Sequence, residues 1–505
     1  MYAHGATPRN AAMCYRCKLS GWRISVTRLI LACLALITVG AAPITFRQAG
    51  SDAVDAMVRV FYTGDGKWRE CAAADCHASN QDWGVDSMTY TLWLDLKTTN
   101  DPKVPPLMGA LEKTAPSYPA PCAEGVACSS WSDVPEWDSI AASREYEITH
   151  DPIALQKARA AFDFVEHAQV FARGACPAIN YQLADGGTNQ LKTLETDANG
   201  VKAALLLYEA THEQRYLTAA STRYASIRKY FLDPKVPLYS VYVFDDGKTC
   251  EQTPHRFFAS VNGDMIWNGL HLYRATHNAA YLQESFATAR VFDEHLSDPR
   301  GIFADLQAEN DIVEPLVEAF YELATERHFK PAQQWLLRNA EAAWSARAHD
   351  GTFGRFFDGP APTALTSVWQ SNGGFALEVA AAAVSPNTTV SNTNDWSGAH
   401  FITSDITLNS EPITFDGSAI ALIGTIGDNC CEPGHARVVV DDVETFDQTG
   451  IWQNKSSNGR HTPNSILFAW HWPKAGHHTI SFMPGAANAK EGGAYLHLTG
   501  YSVLP

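Results

Sequence analysis

The stretch Leu207-Tyr208-Glu209-Ala210-Thr211-His212-Glu213 recurs along the chain at nearly even spacing. Its tyrosine has a counterpart 62 residues earlier, at Tyr146, and another 65 residues later, at Tyr273. Each copy has the pattern of a helix end, a tight turn and a second helix. Such a hairpin buries its apolar face only against neighbouring hairpins, and the period is long for an open superhelix. The repeat therefore predicts a closed ring of helical hairpins.

The composition limits the classes of protein to consider. A chain of 505 residues exceeds one ordinary domain, and 46% hydrophobic with 18% charged residues is typical of folded proteins. The net charge of -17 argues against nucleic acid and anionic membrane as partners. Apolar residues recur at helical spacing from Ser51 to about Ser385, which predicts a mainly helical domain over residues 43–385.

Residues 1–42 have the pattern of an export signal. They carry five basic residues and no acid, then an apolar run from Leu29 to Val39 and the small residues Gly40-Ala41-Ala42. The apolar run is short for a membrane span. We therefore predict a signal peptide and a secreted or extracytoplasmic protein, with a signal anchor as the alternative.

Cysteine usage agrees with export. Eight of the 11 cysteines follow the leader, an even number that favours disulfide bonds in an oxidising compartment. Sequence alone does not fix their connectivity. The pairs that we predict are Cys71 with Cys76, Cys122 with Cys128, and Cys176 with Cys250.

A second stretch, residues 130–138, combines aromatic rings with acids. It reads Ser-Trp-Ser-Asp-Val-Pro-Glu-Trp-Asp and precedes a helical segment that begins near Ser139. Tryptophan faces stack on sugar rings, and carboxylates transfer protons at a glycosidic oxygen. The stretch therefore predicts a carbohydrate site where a helix begins, with a surface loop of ordinary capping acids as the alternative.

Other aromatic and polar residues fall on the long loops at the hairpin ends opposite the Thr-His turns. If the ring closes, these loops converge at one mouth and form a polar and aromatic pocket. The residues are Trp68, Trp83, Asp86, Trp131, Asp133, Trp137, Tyr181, Asp197, Asn199, Phe257, Asn262 and Asp264. We predict a structural role for the histidines of the Thr-His turns.

The order and spacing of these segments resemble glycoside hydrolase family 76, the endo-α-1,6-mannanases. The similarity covers roughly residues 50–360, and it rests on residues 131–137, 146–152, 261–266 and 83–86. The resemblance implies an (α/α)6 barrel that hydrolyses a polysaccharide, with α-1,6-mannan as the expected substrate. The substrate-binding residues would be Trp83, Asp86, Trp131, Trp137, Asp197, Asn262 and Asp264.

The chain departs from the family's pattern at one position. The family has two adjacent aspartates there, a nucleophile followed by a general acid/base, whereas this chain has Ser132 and then Asp133. Retaining hydrolysis needs two carboxylates about 5 Å apart, and serine is a far weaker nucleophile toward an anomeric carbon. The predicted catalytic residues are Asp133 as general acid/base, Ser132 in the nucleophile's place, and Asp138 as a replacement carboxylate.

Several alternatives to that assignment remain open. Glu136 could supply the second carboxylate, as could Asp86 or Asp197 from another loop, or the register of the pair could be shifted. Loss of hydrolysis would leave a glycan-binding protein. An unsaturated-uronide hydrolase or polysaccharide lyase is a further alternative, for which His255-Arg256 is the one hint.

The sequence contains no phosphate-binding loop, zinc-type His-Glu-x-x-His motif or nucleophile elbow in a plausible context. We therefore predict no cofactor and no metal ion. The expected partner is a polysaccharide, and the expected state is a monomer.

The last part of the chain changes from helical to alternating patterns. Segments such as 419–424, 436–442 and 476–482 have the alternation of antiparallel strands. They predict a β-sandwich of jelly-roll type over residues 396–505, resembling accessory carbohydrate-binding modules, after a linker at residues 386–395. Four tryptophans could stack on sugars or belong to its core: Trp396, Trp452, Trp470 and Trp472.

Overall fold

More of the described residues lie in helices than in strands. The computed structural model describes residues 43–79, 86–112, 131–167, 173–182, 190–252, 257–304, 312–426, 434–444, 450–452, 462–484 and 493–505. The described helices are α1 (Phe46–Phe61), α2 (Met88–Thr99), α3 (Val104–Glu112), α4 (Val134–Thr149), α5 (Pro152–Glu166), α6 (Leu194–Thr211), α7 (Gln214–Tyr230), α8 (Ala259–Thr276), α9 (Ala279–His295), α10 (Glu314–Glu326), α11 (Lys330–Ser345) and α12 (Val368–Val384).

The even-numbered helices form an inner ring. They are buried on nearly every face, whereas most odd-numbered helices expose one side to solvent. Each inner helix packs against the next one along the chain, and α12 returns to α2. Each outer helix packs against an inner one, and α1 covers α12, so the two ends of the helical region meet. The hairpins predicted from the repeat therefore pack in a closed order.

The Thr-His turns end three inner helices in the same way. His150, His212 and His277 adopt a left-handed conformation, with φ of 56°, 57° and 58°. Each donates its backbone N–H to the tyrosine carbonyl four residues earlier. Histidine adopts this conformation more readily than most residues do. The histidines thus have the structural role that the sequence predicted.

Two of the predicted disulfides are present, and one of them lies beside an inner helix. The short strands of the helical region are β1 (Trp68–Arg69), β2 (Ala78–Ser79), β3 (Leu191–Thr193), β4 (Tyr242–Asp245) and β5 (Cys250–Gln252). Cys71 is bonded to Cys76, and Cys176 to Cys250. Because β5 pairs with β4 and β4 with β3, the second bridge ties residues 173–182 to the start of α6. Cys122 and Cys128 lie outside the described residues.

The C-terminal region is one connected β-sheet with its own apolar core. Its strands are β6 (His400–Thr407), β7 (Ile413–Ile426), β8 (Gly434–Val440), β9 (Val443–Glu444), β10 (Gly450–Trp452), β11 (Thr462–Pro484), β12 (Gly493–Ala494) and β13 (His497–Leu504). Their order is β10-β8-β11-β7-β13-β6, with β9 and β12 also paired to β8. Ile420, Leu422 and Phe468 lie in its core together with Trp470.

Residues 386–395, predicted as a linker, pack onto the helical region. Val390 is buried and donates its N–H to the carbonyl of Ile44. Asn394 is also buried, and its amide donates to the carbonyls of Phe357 and Gly359. This segment therefore holds a fixed path beside the helices.

None of the described helices is long and apolar enough to cross a membrane, and residues 1–42 lie outside the described range.

A buried polar cluster joins the helical region to the β-sheet. Asp298 and Asp358 lie on the segments before α10 and α12, both are buried, and Asp358 is close enough to raise the pKa of Asp298. Arg300 lies 3.2 Å from the Asp358 carboxylate and 2.7 Å from Nδ1 of His471 on β11. Burial and Arg300 lower the pKa of His471 to about 4, so the imidazole is neutral at pH 7. Asp298 and Asp358 together therefore carry one negative charge, and Arg300 supplies the positive charge that neutralises it.

Asp298→Asn is expected to stabilise the protein at pH 8 and to change little at pH 4. Burial and Asp358 raise the pKa of Asp298 from 3.8 to about 9. The folded state therefore keeps a proton that the unfolded state releases above pH 4, and the stability from this group is lost as the pH rises towards 9. Asparagine has no titratable proton, and its side-chain amide can still donate a hydrogen bond towards Asp358. Urea titrations at pH 8 should show a gain of about 2 kcal/mol in the free energy of unfolding.

The matched control for this pH effect is Asp395→Asn. Asp395 is a neighbouring, partly exposed carboxylate that caps a turn by accepting the N–H of Ser397, which lowers its pKa. Because its pKa is lowered in the folded state and ordinary in the unfolded state, both states are ionised above about pH 5, so the substitution should leave the slope of stability between pH 5 and 9 unchanged. An equal gain for Asp298→Asn at both pH values would contradict the shared proton.

Candidate active site

The acidic and aromatic stretch lies where the inner helix α4 begins. The helix begins at Val134 and has Pro135 in its first turn, so the expectation of a helix from Ser139 was wrong by five residues. Proline fits the first turn because the backbone N–H groups there have no partner within the helix. Trp137 and Asp138 therefore project from a helix rather than from a loop. Asp133 is the capping residue.

Asp133 and Trp137 lie one helical turn apart at this end of the ring. Asp133 is half-buried, and Trp131 beside it is exposed. Trp137 is buried, and its ring meets the edge of Tyr90 on α2, with 6.1 Å between ring centroids. Residues four apart share a helix face, so Asp133 stands above Trp137 and Tyr90 on the side that faces the other inner helices.

Ser132 anchors the stretch to its neighbours. Its side chain is fully buried, and its Oγ donates to the carbonyl of Tyr181 at 2.8 Å and shares a hydrogen bond with Thr196 Oγ1 at 2.5 Å. The hydroxyl is thereby held between residues 173–182 and the first turn of α6. Attack on a substrate would require both contacts to break.

Glu136 and Asp197 belong to an ion cluster between inner and outer helices. Arg223 on α7 lies 3.2 Å from Glu136 and 3.9 Å from Asp197. Asp197 also accepts two hydrogen bonds from Asn180, through its N–H and its side-chain amide. Burial raises the pKa of Glu136 to about 8 and that of Asp197 to about 6, although Arg223 opposes both shifts. Arg223 therefore engages both carboxylates.

Gly200 makes this ion cluster possible. A Cβ atom at that position would lie 1.8 Å from Nη1 of Arg223 and 2.9 Å from Glu136 Oε1. Only glycine leaves room for the guanidinium to reach both acids across α6.

The structure separates the remaining predicted residues. Asp138 is buried and lies about 140° around α4 from Asp133, because successive residues of an α-helix are about 100° apart. Asp86 is buried immediately before α2, and its carbonyl accepts the hydroxyl of Thr89. Asn262 uses its amide to bond the backbone of Tyr239 and Phe258. Trp83 lies outside the described residues.

Asp264, the last of the predicted residues, belongs to a buried charge network along the axis of the ring. Lys202 of α6 lies 3.0 Å from Asp264 of α8 and 2.5 Å from Glu318 of α10. Glu318 also pairs with Arg144 of α4, whose guanidinium is 3.9 Å from the ring centroid of Trp93. We refer to Lys202, Asp264, Glu318 and Arg144 as the axial network. It joins four of the six inner helices.

Three side chains beside the axial network have hydrogen-bonding atoms that the described residues do not use. They are the hydroxyl of Tyr90, both amide atoms of Asn199 and Oδ2 of Asp264, on three inner helices. Lys202 lies 4.4 Å from the ring centroid of Tyr90. Burial and the charges of Asp264 and Glu318 raise the pKa of Tyr90, which keeps its proton. Polar atoms in such positions suit the hydroxyl groups of a sugar or water.

Sequence reasoning missed most of this network. Asp264 and Asn199 were predicted as loop residues at the mouth, and the structure places them inside helices. Lys202, Arg144 and Glu318 were not singled out. Their signal is a charged residue inside an otherwise apolar helix, such as Lys202 between Val201 and Ala203. Among the described residues no group of three or more His, Cys, Asp or Glu side chains is placed to hold a metal ion.

Comparison of the structure with solved structures identifies similar folds. No protein-family model matches the sequence, and no curated protein matches it. An inactive variant of an α-1,6-mannanase from Salegentibacter sp. HEL1_6, in complex with α-1,6-mannotetrose, aligns with a TM-score of 0.56 and 18% identity over 68% of this chain and 100% of its own.

Two further structures show the breadth of the similarity. A family 76 α-mannanase from Bacteroides thetaiotaomicron aligns with a TM-score of 0.55 and 15% identity, over 67% of this chain and 96% of its own. A cellobiose 2-epimerase from Bacillus thermoamylovorans aligns with a TM-score of 0.51 and 11% identity, over 66% and 98%. At these identities the similarity establishes the fold. The helical region of this chain therefore has the fold of the family 76 glycoside hydrolases, as the sequence resemblance predicted.

Proposed function

We propose that this chain is a secreted glycoside hydrolase of the family 76 type, an (α/α)6 barrel that cleaves α-1,6-linked mannan. The observation that carries the proposal is the half-buried Asp133 between exposed Trp131 and buried Trp137, at the end of a helical ring. That ring has the fold of α-1,6-mannanases, one of which is inactivated by replacement of two adjacent aspartates. The two disulfides agree with an oxidising compartment.

Asp133 is the proton donor in this proposal. In its acid form it donates to the glycosidic oxygen as the bond to the anomeric carbon breaks. The second carboxylate then either bonds to that carbon, with Asp133 later taking a proton from the water that displaces it, or itself takes the proton of the water that attacks the carbon directly. Trp131 provides an apolar surface for a sugar face. Tyr90 and Asn199, one turn deeper, offer hydrogen bonds to sugar hydroxyls.

The second carboxylate in this proposal comes from another inner helix. The buried and bonded hydroxyl of Ser132 makes it an anchor rather than a nucleophile. Glu314 begins α10, is buried, and is close enough to Tyr90 to affect its pKa. Asp86 is buried immediately before the neighbouring helix α2. The carboxylates of Glu136 and Asp197 are held by Arg223 and, for Asp197, also by Asn180.

The test is release of reducing ends from α-1,6-mannan by the full chain, with the anomeric configuration of the first product followed by NMR. Release is expected. Retention would place the second carboxylate about 5 Å from Asp133, and inversion would place it about 6.5–9.5 Å away, across a water molecule. Binding of mannan without release of reducing ends would overturn the assignment as a hydrolase. Absence of both binding and release would overturn mannan as the substrate.

A non-catalytic glycan-binding protein is the second candidate function. The specific observation in its favour is Ser132, because the chain lacks the adjacent acid that the family pattern places there. The β-region, which we propose is a jelly-roll module that binds carbohydrate, would serve either function. The residues that suggested a lyase, His255 and Arg256, lie outside the described residues.

A further inference from the structure

A groove lies between the helical region and the β-sheet, and Asp133 is not among its lining residues. Its volume is about 660 Å³, within the range of small-molecule sites. The helical region contributes Pro299 and Arg300, and the β-sheet contributes Ser418, His471, Trp472 and Lys474 among others. Ligand sites in proteins occur preferentially between domains, because both sides supply walls.

A bulge in β11 forms the β-sheet side of the groove. His471 pairs with Ala419 and Gly476 with Gly417, so four residues of β11 stand opposite Ser418 alone. The extra residues leave the ladder and include Trp472 and Lys474. Bulges redirect side chains and are frequent beside functional sites.

The aromatic and basic groups of the groove are held in place by neighbours. Trp472 donates its ring N–H to Asp441 at 3.2 Å and stacks on His478 at 3.8 Å between ring centroids. Arg300 donates to His471 at 2.7 Å and to the carbonyl of Thr393 at 2.7 Å. A site whose side chains are already ordered loses little entropy when a ligand binds.

Two basic side chains line the groove of a chain whose net charge is -17. They are Arg300 and Lys474, and none of the other described lining residues has an acidic side chain; Pro505, the last residue given, also lines the groove. Lys474 is exposed, whereas Arg300 is partly balanced by Asp358. A lysine beside a tryptophan fits a ligand that combines an apolar ring face with an anionic group.

The groove and Asp133 lie towards the same end of the helical ring. Asp298 to Arg300 and Asp358 are on segments that connect an outer helix to the next inner helix. In an antiparallel hairpin ring all such connections are at one end, which is also the end where α4 begins. A polysaccharide chain can therefore extend from the helical mouth towards the groove.

We propose that the groove between Arg300, Trp472 and Lys474 binds an acidic saccharide, a sugar that carries a carboxylate or sulfate group. Trp472 contacts the sugar ring, and Lys474 and Arg300 attract the acid group. The site is separate from the proposed hydrolytic site, so Asp133→Asn should bind the same ligand with unchanged affinity.

Calorimetric titration of the full chain with trigalacturonate, a sulfated trisaccharide and neutral mannotriose tests the proposal. The acidic probes are expected to bind at least tenfold more tightly at the groove than mannotriose, with affinity that falls as salt rises. Preference between the two acidic probes identifies the acid group. Failure of both acidic probes to bind, or equal affinity for all three probes, would overturn the proposal.

The variant Lys474→Gln tests whether the acidic probe binds at the groove. The residue is exposed, so the fold should not change, and we expect about fivefold weaker binding of the acidic probe. Lys330→Gln, an exposed lysine at the start of α11, is the matched control and should leave the affinity unchanged. Equal affinities for wild type and Lys474→Gln would place the ligand elsewhere and overturn the proposal.

Discussion

Replacement of Lys202 with methionine is expected to lower the free energy of unfolding by about 3–5 kcal/mol. The lysine is fully buried and lies 3.0 Å from Asp264 and 2.5 Å from Glu318. Methionine has a similar volume but no charge, so Asp264 would lose its paired cation and Glu318 would keep only Arg144, which leaves buried negative charges undercompensated. The cost arises from those uncompensated charges rather than from a cavity. Urea denaturation followed by circular dichroism measures it.

Lys97→Met is the matched control for charge removal. Lys97 pairs with Glu147 at 2.6 Å, but both side chains are more than one third exposed. Water and salt compensate such a pair, so the expected loss is below about 1 kcal/mol. If Lys202→Met cost no more than Lys97→Met, the axial network would not be a major source of stability.

The ring of hairpins could be predicted because its signal is local. Each Tyr-x-x-Thr-His segment ends one helix and starts another, and His150, His212 and His277 have almost the same φ. Repetition of that unit implies neighbours of the same kind, and the helices do pack in a closed order. Two of the three predicted disulfide pairs are present, although cysteine spacing alone does not fix the connectivity.

The beginnings of the inner helices could not be predicted from local composition. A stretch with proline, tryptophan and three acids has the character of a loop, yet α4 begins at Val134. Inner helices are buried on nearly every face, so they lack the apolar and polar faces that mark an outer helix. Polar residues inside them, such as Asn199 and Asp264, were therefore taken for loop residues.

The partners of the candidate site residues depend on the tertiary structure. Ser132 meets Thr196, and Glu136 meets Arg223, across 64 and 87 residues of chain. No pattern near residue 132 indicates that its hydroxyl is used by another helix. The sequence therefore predicts a site around Asp133, but it does not indicate which neighbouring acids are occupied by structural contacts.

Asp133→Asn is expected to reduce kcat/KM on α-1,6-mannan by a factor of about 10²–10⁴, the usual contribution of a general acid/base. Asparagine has nearly the same shape and can cap α4, but it cannot donate a proton to the glycosidic oxygen. Mannan binding should remain within about twofold, because Trp131 and the groups below Asp133 are unchanged. Reducing-end assays and titration with mannan oligosaccharide separate the two effects.

Asp151→Asn is the matched control, because Asp151 caps α5 at the opposite end of the same hairpin. It should leave both activity and binding unchanged. A substrate with an activated aryl leaving group adds a second distinction, since its departure needs little protonation. For that substrate the loss in Asp133→Asn should be much smaller than for mannan. An equal loss on both substrates would indicate a role other than proton donation, and full activity of Asp133→Asn would assign the donor to another carboxylate at the mouth.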